Sequence, residues 1–148
     1  MNVITELIFP CLAAFFSCTG FCIIFNIHRA GIIRASLGGA LGWLVYTMIG
    51  KTILAAFCAS AVIGLYAEIM ARVRKCPVTG YLVVALLPLV PGGGIYHTML
   101  YAVSGYTQMF LNTLLYTFGL AAALAVGSMI SSSLFRTIHA QTSVKFHR

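Results

Sequence analysis

Uncharged apolar runs alternate with short polar or basic punctuation along this chain. The first, about residues 4–26, contains IFPCLAAFFSCTGFCIIFN from Ile8 to Asn26 and is followed by His28, Arg29 and Arg34. The second, 35–50, carries Gly38 and Gly42 at a GxxxG spacing that permits close helix contact. Lys51 interrupts, and the third run, 52–70, precedes the cluster Arg72, Arg74 and Lys75. The fourth, 78–103, is broken by Pro88, Pro91 and Gly92-Gly93-Gly94; the fifth covers 109–134, and a basic tail, 135–148, holds Arg136, Lys145 and Arg148. A bilayer core about 30 Å thick takes roughly 20 helical residues. The pattern therefore predicts one all-α integral membrane domain of five transmembrane helices, the fourth broken at Pro91–Gly94.

Composition agrees. Charged residues are 7% of the chain, against about a quarter in soluble domains, and mean hydropathy is +1.01. With five spans in 148 residues, no separate soluble domain fits. The net charge of +7 would suggest nucleic acid in a soluble protein, but these basic residues lie between apolar runs and act as topology signals. Five spans put Arg29, Arg34, Arg72, Arg74, Lys75, Arg136, Lys145 and Arg148 on one side, eight of the nine, and Lys51 alone on the other. The N-terminus is then outside and the C-terminus cytoplasmic. A re-entrant fourth segment would move three of those charges and leave five against four. No signal peptide is expected, because Glu6 stands where a basic n-region belongs.

The segment LLPLVPGGGIYHTMLY, Leu86 to Tyr101, carries the candidate chemistry. Two prolines and three glycines at membrane depth leave backbone groups that need protein or a water-filled cavity. Pro91 follows Pro77 by fourteen residues, so the break falls past the midplane. A helix restarting near Gly93 would aim free N–H groups and a positive dipole end at an anion such as a carboxylate. Carbonyls near Leu89 and Val90 would face an ammonium group, so the two ends suit a zwitterion, as in transporters with broken helices. The competing reading is a proline kink beside a glycine-packed crossing. Pro91, Gly92, Gly93, Gly94, Tyr96, His97 and Thr98 form the candidate substrate site, with hydroxyls from Tyr96 and Thr98. His97 is either a proton carrier or a structural hydrogen-bonding group. Glu68, four residues before Arg72, reads as a helical ion pair near the cytoplasmic boundary or as an ion-coupling group. Lys51 reads as a snorkelling loop residue, and Asn26 and Asn112 as helix-to-helix hydrogen-bonding groups.

Cys11, Cys18 and Cys22 share one helix face, which a heavy-metal relay could use but which small packing residues explain; Cys76 is expected as a reduced thiol in the cytoplasmic loop. His28, His97, His139 and His147 lie on different segments, so no metal site is expected, and no cofactor. GxSxG, HExxH, P-loop and paired-carboxylate signatures are missing, and no enzyme is expected.

Phe25-Asn26 followed by a basic residue, Leu37-Gly38-Gly39, Gly64, and above all Leu87-Pro88-Leu89-Val90-Pro91-Gly92 with Ile95-Tyr96 resemble the threonine/serine exporter family, specifically the small membrane subunit of its split form. The likeness covers about residues 4–134, and Pro91, Gly92 and Tyr96 are its most specific part. It implies a five-span unit in a bacterial inner membrane, working with a larger subunit that has its own spans and a cytoplasmic domain. It also implies export of threonine, serine or a similar small carboxylate; related pairs export dicarboxylates such as succinate. A membrane scaffold for a partner, a homo-oligomeric channel and a membrane enzyme are the rival readings, in that order.

Overall fold

The computed structural model describes residues 7–27, 29–74 and 77–146. Glu6, His28, Lys75, Cys76, His147 and Arg148 lie outside the described residues, as do the side chains of Arg29, Arg136, His139 and Lys145. The order is α1 (Phe9–Ile24), α2 (Arg29–Ile49), α3 (Ile53–Arg74), α4 (Val78–Leu86), a 3₁₀ turn (Leu87–Leu89), α5 (Gly92–Val103) and α6 (Thr107–Phe146), with no strand among the described residues. Three stretches are long and apolar enough to cross a membrane: Gly31–Ile49, Ile53–Arg74 and Thr107–Phe135. The pair Val78–Leu89 and Gly92–Val103, bent by 53°, makes a fourth if counted as one span. The shorter apolar α1 has 16 residues.

Element ends differ from the sequence pattern in three places. The helix that carries the second apolar run starts earlier than the run itself: α2 begins at Arg29, and Arg34 lies inside it. Arginine is a good helix former, and the Tyr66 hydroxyl donates to the Arg34 carbonyl at 2.9 Å. α3 continues past 70 to Arg74, where Arg72 and Arg74 sit in its last turn and complement its negative dipole end. The expected tail from 135 is helical to Phe146, because no Gly or Pro follows Gly127 to stop it. Asn26 closes α1 with a φ of 52°, and the Ile27 N–H returns to the Cys22 carbonyl at 2.9 Å.

Side-chain contacts give each helix its direction. Thr19 meets Ser36 at 2.9 Å while a Cβ at Gly39 would strike Cys18, so α1 and α2 run antiparallel. Tyr66 beside Arg34 and Ile63 beside Gly42 make α2 and α3 antiparallel. Gly31 beside Tyr81, Gly38 beside Ala85 and Gly42 beside Leu89 make α2 and α4 parallel. Ile53 beside Gly119, Ser60 beside Gly127, Gly64 beside Ser131 and Arg72 over the Phe135 ring make α3 and α6 parallel.

Helices in lipid gain little from the hydrophobic effect and associate by close packing of small residues. The buried faces here follow that rule: α3 presents Ala56, Ala59, Ser60, Gly64 and Ala67. The GxxxG pair does the same on α2, Gly38 against Tyr66 and Gly42 against Ile63 and Leu89. The tightest approach is at Gly127, where a Cβ would lie 2.6 Å from the Phe57 carbonyl oxygen and collide with the Ser60 hydroxyl. Backbone cannot yield as a flexible side chain can. Gly127→Ala should therefore separate α3 from α6 and cost about 1–3 kcal/mol, read as a lower midpoint in denaturant unfolding of the purified protein.

Candidate functional site

The break is built by prolines and repaired from elsewhere in the bundle. Pro88 has no N–H for the Val84 carbonyl, and the Cys18 thiol of α1 donates to that oxygen instead, at 3.3 Å. The fully buried Cys18 therefore combines the packing role read from its helix face with a backbone repair. Pro91 likewise offers nothing to the Leu87 carbonyl, which takes the Val90 N–H at 3.2 Å in the 3₁₀ turn. Preceding a proline, Val90 is pushed out of helical backbone to ψ 128°. The chain then turns through Pro91, with the Gly92 N–H on the Val90 carbonyl at 2.7 Å, and α5 starts. Ile95 N–H reaches back to Pro91 at 3.0 Å, but the N–H groups of Gly93 and Gly94 find no acceptor among the described residues. They form the open, positive end of a 12-residue helix.

Beside this end, α5 and α6 enclose a cleft of about 280 Å³. Its walls are Val90, Pro91, Ile95, Thr98 and Met99 on one side and Leu114, Thr117, Phe118 and Ala121 on the other. No charged side chain lines it. Buried Thr98 donates its hydroxyl hydrogen to the Gly94 carbonyl at 2.7 Å. Three buried side-chain polar atoms lack a partner among the described residues: Trp43 Nε1, Glu68 Oε1 and Thr117 Oγ1. Thr117 belongs to the cleft. Trp43 packs on the apolar cluster that contains Leu89, at the end of the 3₁₀ turn.

The residues singled out by sequence separate into groups. Pro91 and Thr98 line the cleft, and Gly94, outside the lining itself, packs against its Thr117, where an added Cβ would lie 2.5 Å from Thr117 Oγ1. Gly92 and Gly93 are exposed at the start of α5. Tyr96 and His97 point elsewhere: their rings meet at 5.4 Å, and His97 stacks on Tyr101 at 6.2 Å, on an exposed face outside the cleft lining. The break is also far along the bundle, since Leu89 lies beside Gly42, two-thirds of the way along α2. Near the same end, Tyr46 and Tyr116 donate to the Lys51 carbonyl at 3.4 and 3.2 Å, so Lys51 is a tied turn residue with φ 57°.

Glu68 sits toward the opposite end and takes no part in the cleft. Its Oε2 is 3.8 Å from Arg72, the ion pair its spacing predicts, but the residue is 2% exposed and its Oε1 has no partner. Arg72 also rests 4.9 Å from the centre of the Phe135 ring on α6. Among the described residues no group of His, Cys, Asp and Glu is arranged to hold a metal. Thr117 is the cleft-lining residue that sequence alone missed. One threonine in a long apolar helix carries no motif, and only the packing of α6 on α5 brings it to Gly94.

Three or four apolar helices long enough to span a bilayer make this a multi-pass membrane protein. The family model of the Threonine/Serine exporter, ThrE, matches residues 10–134, and the chain belongs to that family. It is a family of transporters rather than enzymes. No curated protein and no solved structure matched the chain. If the cleft is the working site, Gly94→Ala should cut amino acid export several-fold by pressing a methyl group onto Thr117. Gly20→Ala, at a position with nothing within 4 Å, should leave export unchanged. Transport assays at matched membrane abundance check both.

Proposed function

We propose that this chain is the small subunit of a bacterial inner-membrane exporter of threonine, serine or a similar small carboxylate, acting with a larger subunit. In this reading it crosses the membrane five times with its N-terminus outside, and the interrupted helix lines the route. The observation that carries the proposal is the uncapped α5 N-terminus beside a small cleft in a chain of the exporter family. A re-entrant α4–α5 segment would return the chain to its starting side and make α6 antiparallel to α3. Their parallel packing supports a complete crossing by the bent pair. The eight-to-one partition of basic residues supports a cytoplasmic C-terminus.

The larger subunit enters for a geometric reason. The cleft has walls from two helices only, and alternating access needs a second body to close it from the other side. In this reading the cycle draws on an ion gradient, with Glu68, which is buried, and His97, on the exposed face, as the candidate coupling groups. A dicarboxylate cargo of succinate type fits the same uncapped N–H groups and remains the alternative within this reading.

The test is efflux of threonine, serine and succinate from preloaded cells expressing this chain, the larger subunit, or both. Efflux of one cargo only with both proteins supports the two-part exporter and names its substrate. Efflux that is the same with and without this chain rejects it. The double change Pro91→Ala with Gly92→Ala should abolish efflux while the protein still inserts in the membrane.

A further inference from the structure

We propose that Thr117 contacts the transported solute directly, its hydroxyl joining the Gly93 and Gly94 N–H groups in a subsite for the solute's carboxylate; this rests on the exporter reading above. A threonine inside a helix ordinarily settles its hydroxyl on the carbonyl four residues back. Thr19, Thr47, Thr98 and Thr137 all do so, at 2.9, 3.0, 2.7 and 3.0 Å. Thr117 does not: its Oγ1 has no partner among the described residues, and the residue is only 7% exposed. A buried hydroxyl left unbonded is costly and marks a place where a ligand completes the bonding.

That hydroxyl is aimed at the first turn of α5, as the 2.5 Å from Thr117 Oγ1 to the Cβ position of Gly94 records. A side chain at Gly94 would fill the space between the two helices, so glycine there keeps the hydroxyl against the helix end. The polar groups divide by role. The Thr98 hydrogen is already given to the Gly94 carbonyl, whereas among the described residues the Thr117 hydroxyl has no partner and the two glycine N–H groups have no acceptor. Three donors with no competing cation or anion in the lining select an anion of modest size. Val90, Ile95, Met99, Leu114 and Phe118 make the remaining wall apolar. The solute this fits is a compact carboxylate that also carries an apolar group.

The test uses inverted membrane vesicles from host cells in which the chromosomal copy of this chain is replaced by each variant. Uptake of L-threonine, L-serine and succinate reports export, and inhibition by L-threonine methyl ester reports binding without a free carboxylate. Thr117→Val, isosteric but without the hydroxyl, should raise KM about tenfold or more at unchanged abundance. Thr117→Ser should stay near wild type, and Thr117→Ala, which adds no bulk, should follow Thr117→Val. The ester should inhibit wild type and Thr117→Val equally. Unchanged KM in Thr117→Val and Thr117→Ala overturns the proposal and leaves the exporter reading standing, as does an ester that distinguishes them as strongly as threonine. Vesicles lacking the chain that transport as well as wild type overturn the exporter reading itself, and the proposal with it.

Discussion

A peptide group surrounded by hydrocarbon has no water to bond, so every backbone donor and acceptor of this chain must find its partner inside the protein. Within the helices that demand is met along the backbone ladder, and prolines interrupt it at two carbonyls, those of Val84 and Leu87. At Pro88 the thiol of Cys18, on another helix, restores the missing bond to Val84. At Pro91 the 3₁₀ turn absorbs Leu87, but the N–H groups of Gly93 and Gly94 stay open. The fold thus closes one gap in the backbone ladder and leaves the next one open, a single turn away. The site proposed for this chain is built on that difference.

Holding the repair and the opening in register requires helices that approach very closely. Gly39 lets α1 come near enough for Cys18 to reach Val84, and Gly42 seats Leu89 at the end of the 3₁₀ turn. Gly127 and Gly64 seat α6 on α3, and α6 then carries Thr117 to Gly94. Each of these contacts is of backbone or small side chains, which can neither flex nor be replaced by bulk. A bundle with so few charged groups has little else to fix helix positions. Buried Glu68 is the exception, and its pair with Arg72 ties α3 toward α6 through the Phe135 ring.

In the proposed reading the cleft would take a charged solute without a charged side chain of its own. The attraction then comes from peptide dipoles and hydroxyls alone. The exposed stack of Tyr96, His97 and Tyr101 stands outside this cleft, so the aromatic and hydroxyl groups that follow the glycines in sequence serve two different surfaces.

The order of apolar runs, the break at Pro91 and the resemblance to the exporter family were all legible in the chain, because hydrophobic length and missing proline donors are local properties. So was the Glu68 and Arg72 pair, set by spacing along one helix. Element ends were less legible: Arg29 to Arg34 and 135 to 146 are helical although polar, since no Gly or Pro opposes helix there except Gly31. Three matters needed tertiary structure. Cys18 meets Val84 across 66 positions of sequence, Thr117 meets Gly94 across two helices, and α3 runs parallel to α6. Sequence periodicity fixes which residues share a helix face, but it carries no register between helices; close packing at glycine decides that, and with it which hydroxyl stands beside the open backbone.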